Sequence, residues 1–134
     1  MTSFTMIVLP KHYAVCQLPA DAAAPDWATQ GELFCLMRSP EELSIVCEEW
    51  LVPEQGVIIE RGWRALKLQG PFAFELTGVL TAVLNPLADA AIGIFALSTY
   101  NTDYVLVKQD QLDPAIEALR AAGHQIVAES TRSS

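Results

Sequence analysis

Positive charge is scarce in this chain. Its 134 residues carry eight Lys and Arg against sixteen Asp and Glu, a formal net charge of −8. A field of that sign repels phosphate backbones, and no Lys/Arg cluster makes a local exception, so the charge argues against nucleic-acid binding. Histidine is nearly absent, with only His12 and His124. The three cysteines, Cys16, Cys35 and Cys47, match no zinc or redox spacing, and their odd number argues against a disulfide framework. Each lies in an apolar context, where a free thiol behaves as a small core hydrophobe. No run of eighteen apolar residues exists, because Pro86 and Asp89 interrupt the richest stretch. The opening MTSFTMIVLPKHY lacks a basic region followed by a long apolar stretch, so no secretory leader is expected. HExxH, GxSxG and GxxxxGK[ST] are all missing. These absences imply a cytoplasmic protein with no membrane segment, no bound metal and no cofactor.

Apolar residues make up 51% of the chain, enough to bury a core. In the C-terminal half, WRALKLQ (63–69) alternates as a strand and Gly70-Pro71 closes it. Leu76, Val79, Leu80, Val83 and Leu87 recur at helical spacing and predict a helix over 75–90, with Pro86 near its end. Residues 92–97 and 104–108 read as strands. A second helix begins within 110–114, with Asp110 or Asp113 as its cap, Pro114 in its first turn and Gly123 at its C′ stop. HQIVAE (124–129) supplies a last strand. The order strand-helix-strand-strand-helix-strand is that of a ferredoxin-like unit: an antiparallel sheet with both helices on one face.

The N-terminal half reads as an abbreviated version of the same α+β order. Strands are expected at 4–9, 13–18, 33–38 and 43–47, with a Pro-Lys-His turn between the first two. A turn or two of helix fits Asp26–Thr29. Ser39 with Glu42 has capping-box spacing and predicts one helical turn there. Two tandem βαββαβ units follow, an abbreviated one over 1–60 and a full one over 61–134.

The chemistry-bearing residues give no positive case for an enzyme. His12 sits in the expected turn, and His124 follows a helix-ending glycine, where imidazoles commonly meet free carbonyls. Glu41/Glu42 and Glu48/Glu49 are adjacent pairs whose side chains diverge, so they read as solvated surface. One constellation is left. Gly78 near a helix start costs about 1 kcal/mol against alanine. Two reasons for it stand side by side: open helix amides that can meet an anion, or tight packing on the sheet. The polar connection Ser98-Thr99-Tyr100-Asn101-Thr102-Asp103 is longer than a two-residue hairpin needs. Asp103 could meet a ligand ammonium or guanidinium. Taken by itself, the stretch reads more simply as a turn held by Asx bonds from Asn101 and Asp103.

In context the same residues look like part of a family. LTGVL (76–80), PLADAAIGIFALSTYNTDYVLV (86–107) and QDQLDPAIEALRAAGH (109–124) resemble the ACT-domain family, in particular the tandem branch that includes cytosolic arginine sensors and small bacterial ACT proteins. PEELSIVCEEWLVP (40–53) and GWRALKLQGP (62–71) are similar to that branch as well. The resemblance implies a non-catalytic regulatory protein, a sensor that binds an amino acid between neighbouring ACT units. Its implied ligand contacts are Thr77, Gly78 and Val79 at the helix start. From the hairpin come Ser98, Thr99, Tyr100, Asn101, Thr102 and Asp103, the last facing a cationic ligand. The arginine sensors carry two such tandem halves, so a homodimer is the implied assembly here. The alternative is a ligand-independent assembly module whose pocket is vestigial.

Overall fold

The computed structural model describes residues 3–69 and 78–128. The expected closure at Gly70-Pro71 and the candidate residue Thr77 fall outside them. Chain contacts define two units, Lys11–Trp63 and a C-terminal unit formed by Met1–Pro10 with Arg64–Ser134. The first ten residues thus belong with the C-terminal unit, not with the rest of residues 1–60.

The C-terminal unit contains the start of β1 (Thr5–Leu18), the end of β4 (Ile58–Leu68), α1 (Val79–Asp89), β5 (Phe95–Ser98), β6 (Asp103–Lys108), α2 (Leu112–Ala121) and β7 (Gln125–Ala128). From β4 onward the order is ferredoxin-like. Its strands lie in the order β7-β1-β4-β6-β5. The expected antiparallel sheet therefore carries one parallel pair, because β1 is inserted beside β7 with Thr5 opposite Gln125 and Val8 opposite Ala128. Burial accounts for the insertion. Met6 enters the core beside Leu66, Leu68, Val105, Val107 and Ile126, and Val8 packs at its margin.

Both helices cover this core with stripes at helical spacing, Val79, Val83 and Leu87 from α1 and Leu112, Ala115 and Leu119 from α2. Each buried Val or Leu among them contributes about 1.5–3 kcal/mol by leaving water. α1 starts at Val79, because Gly78 has φ +79 and cannot be helical. It ends with Ala91 at φ +60, and the Ile92 N–H reaches back to the Leu87 carbonyl at 3.0 Å. This 6→1 closure is the Schellman pattern, and it delays β5 to Phe95 from the expected residue 92. α2 is capped at Gln111 with no side-chain bond, so neither aspartate caps it; Asp110 lies in a preceding 3₁₀ turn, Gln109–Gln111. Gly123, at φ +98, does occupy the stop after α2.

The N-terminal unit orders its strands β2-β3-β1-β4, where β2 is Cys35–Arg38 and β3 is Leu43–Glu48. β3 is antiparallel to β1, from Tyr13 opposite Glu48 to Leu18 opposite Leu43, and antiparallel to β2. No turn separates residues 9 and 13: β1 is continuous and His12 lies within it. Among residues 11–63 the only helical segments are the 3₁₀ turns Asp26–Thr29 and Glu49–Leu51. The helical turn expected at Ser39 is instead a hairpin connection. The Ser39 hydroxyl accepts from the Glu41 and Glu42 amides at 3.2 and 3.3 Å, and the Ser39 N–H bonds the Glu42 carbonyl at 2.9 Å. Strand pairing on both sides of a four-residue connection outcompetes a lone turn of helix.

Ala14, Cys16, Leu43, Ile45 and Cys47 form the core of this unit under Ala28 and Val52. Burial pushes the Cys16 thiol up to about 11, against a small opposing effect of the Arg61 charge. It pushes Cys47 up to about 12, with Cys16 and Glu48 adding to the rise. Thiolate is the reactive form, so both are inert when folded. Only the partly exposed Cys35 should react with a disulfide reagent at pH 8. One thiol per folded chain and three in denaturant are expected; three in the folded protein would refute the buried assignment.

Candidate functional site

The β5–β6 hairpin and the start of α1 lie in the same unit, and a hydrogen bond ties the hairpin to β4. Thr102, buried, donates its hydroxyl to the Leu68 carbonyl at the end of β4, at 2.6 Å. That carbonyl is where the connection toward Gly78 departs. Gly78 is the cap of α1 in the left-handed region, where L side chains pay about 1–2 kcal/mol. Among the described residues a Cβ built there meets nothing within 4 Å, so the glycine serves its backbone angle. Among the described residues no side chain caps the first amides of the helix. Val79, next along, points into the core.

Within the hairpin, Ser98 and Asp103 are a register pair. The Ser98 hydroxyl donates to Asp103 Oδ1 at 2.5 Å, and among the described residues Asp103 Oδ2 has no hydrogen-bond partner. Thr99 closes the turn: its N–H donates to the Thr102 carbonyl at 2.8 Å, and its hydroxyl accepts from the Thr102 N–H at 3.2 Å. The turn is therefore held by Thr99, not by the expected Asx bonds from Asn101 and Asp103. Asn101 is exposed, and Tyr100 stands out at the tip, 79% exposed. The candidate set thus divides. Thr99 and Thr102 build the turn and Val79 the core, whereas Gly78, Ser98, Tyr100 and Asn101 are exposed and Asp103 is half-buried.

Two polar residues that the sequence places at a helix end and on the surface are buried. His124, 4% exposed, bonds away from its own helix. Its Nδ1 accepts the Phe4 N–H at 3.0 Å, which leaves the proton on Nε2, and Nε2 donates to the Ala82 carbonyl at 2.9 Å. That carbonyl would ordinarily take an N–H four residues on, but residue 86 is proline and has none. Glu48, taken as solvated, is 3% exposed. Burial alone would raise its carboxyl. The Trp50 indole N–H at 2.7 Å, the Glu32 amide at 3.0 Å and the Lys11 charge outweigh that and hold it below its ordinary value. Its neighbour Glu49 is also engaged and accepts the N–H of Gly62 at 2.8 Å, where φ is +81 within β4. Neither acid could have been placed from sequence, because their partners lie on other segments.

Among the described residues no group of three His, Cys, Asp or Glu is placed to hold a metal ion. No helix among them is long and apolar enough to cross a membrane.

Residues 58–121, which contain the hairpin and the helix start, match the family model of the ACT domain. The chain belongs to the ACT-domain family. Residues 11–55, the bulk of the N-terminal unit, match a separate model of an N-terminal domain family. The bovine protein named cytosolic arginine sensor for mTORC1 subunit 1 is 36% identical over 98 residues, covering 66% of this chain and 30% of that protein. This ACT chain therefore matches less than a third of that relative. A crystal structure of a protein from Agrobacterium tumefaciens is 35% identical and superposes with a TM-score of 0.92 over all of this chain and 99% of that one. The regulatory subunit of aspartate kinase from Thermus thermophilus, 11% identical, shares the fold with a TM-score of 0.60 over 84% of this chain and 93% of that one.

Proposed function

We propose that this ACT protein is a non-catalytic regulatory module that binds an amino acid against the start of α1 and the 98–103 hairpin. The observation that carries the reading is Gly78. A left-handed glycine with open space beside it among the described residues, before helix amides that none of their side chains caps, suits the approach of a carboxylate. Asp103 supplies the opposite charge, with Oδ1 held by Ser98 and Oδ2 available to an ammonium or guanidinium. Kinship with an arginine sensor supports a cationic amino acid as the ligand. Tyr100 and the half-buried Phe95 and Leu97 of edge strand β5 present apolar area beside this site. A second copy of the chain, paired across it in a cytoplasmic homodimer, completes the pocket.

A second reading has its own support. Thr99, Thr102 and one oxygen of Asp103 are already bonded within the protein, which suits an assembly module with a vestigial pocket. A thermal-shift screen against the twenty amino acids at millimolar concentration separates the two. A ligand at a hundred times its dissociation constant adds roughly 2.7 kcal/mol. One hit is expected among the cationic amino acids, and Asp103→Ala should remove it. A flat screen favours the assembly module, and an unchanged shift in the variant removes Asp103 from the site.

A further inference from the structure

The N-terminal unit contains a cleft of about 420 Å³ that belongs to none of the groups discussed so far. Its walls are Leu18, Pro19, Val57 and Ile58, and its polar groups are Gln17 and Glu41. The volume lies in the range of small-molecule sites. Ile58 is 69% exposed at its edge.

Glu41 presents a carboxylate with no side-chain partner among the described residues. Gln17 donates one Nε2 hydrogen to Glu42 Oε1 at 3.2 Å, and among the described residues its carbonyl oxygen accepts no hydrogen bond. The turn that carries Glu41 is fixed, because the Ser39 hydroxyl holds the Glu41 amide. Arg38, beside that turn, is engaged by the carbonyls of Ala20 and Ala22. Gly56, at φ +85, brings bare backbone to the rim with nothing within 4 Å of a built Cβ. An apolar wall edged by a carboxylate and a carbonyl oxygen, on a chain of net charge −8, selects a cation with an aliphatic body.

We propose that this cleft is a second binding site, for a small aliphatic ammonium, separate from the Gly78 and Asp103 site. The apolar body would lie on Leu18, Val57 and Ile58, with the ammonium on Glu41 and the Gln17 oxygen.

Titration of the ¹⁵N-labelled full chain with n-hexylammonium tests it, with n-hexanol and n-hexanoate as controls of equal length. Saturable amide shifts are expected at Glu41, Gly56 and Val57, with hexanol and hexanoate at least tenfold weaker. Glu41→Gln should weaken hexylammonium about tenfold. The fold should persist in that variant, because only the backbone amide of residue 41 takes part in the turn. Equal binding of hexanol, unchanged affinity in Glu41→Gln, or no saturable shift would overturn the proposal. Shifts confined to Gly78 and residues 98–103 would overturn it too, and would instead place the cation in the other site. Absence of amino-acid binding at Gly78 with these shifts intact would leave the cleft standing and the first reading refuted.

Discussion

His124→Phe should lower the stability of the protein by about 2–5 kcal/mol, a large share of the 5–15 kcal/mol available to a typical domain. The substitution keeps a ring to stack on Phe4, whose own ring lies 5.9 Å away at 15°. It removes both hydrogen bonds. The Phe4 N–H and the Ala82 carbonyl are then left without the imidazole, and each buried unsatisfied group costs about 1–3 kcal/mol. Because Phe4 precedes the strand segment that pairs with β7, the N-terminal strand should also lose protection. Amide exchange at residues 5–8 should accelerate more than exchange in β6.

Pro86 gives the same prediction a sharper form. His124 takes the place of a helix donor that proline lacks. In Pro86→Ala the new N–H at residue 86 can bond the Ala82 carbonyl, so His124→Phe should cost roughly 1 kcal/mol less in that background. Equal costs in both backgrounds would show that the imidazole does not substitute for the missing helix bond.

Much of the C-terminal unit is legible in sequence because its signals are local. The stripes of Val83, Leu87, Ala115 and Leu119 follow the helix period, and Gly123 marks a stop that depends only on its own φ. Long-range pairings leave no such trace. Nothing in TMIV at 5–8 says that it will lie beside β7, some 120 residues on. Pro10 and His12 look like a turn, yet the strand continues through them. The hairpin at 98–103 shows the limit at the candidate site. Its position follows from flanking apolar runs, whereas the division of labour does not. Thr102 serves the fold only because the Leu68 carbonyl, 34 residues away, lies 2.6 Å from its hydroxyl. Glu48 is the extreme case, since an acid reads as surface until its donors are known.

Those donors make Gly31 the most constrained glycine of the N-terminal unit, and Gly31→Ala should destabilise the protein by about 2–4 kcal/mol. Its φ is +88, which alone costs an L residue roughly 1–2 kcal/mol. A Cβ there would lie 2.6 Å from Glu48 Oε2 and 2.9 Å from its Cδ. Glu48 cannot step aside freely, because Oε2 accepts the Glu32 amide and Oε1 the Trp50 indole. Hydrogen bonds to a charged group are worth about 1.5–3 kcal/mol. The same contacts set a pH dependence. Glu48 sits below its ordinary value when folded, so its contribution is complete above the unfolded glutamate value of about 4.3. It disappears as pH falls through the lower folded value. Chemical denaturation from pH 6 to 3 should therefore show a shallower acid limb in Glu48→Gln than in the wild type, beneath a lower plateau. If the two limbs coincide, or if Gly31→Ala unfolds with the wild-type midpoint, the buried carboxylate is not what ties residues 31 and 32 to the end of β3.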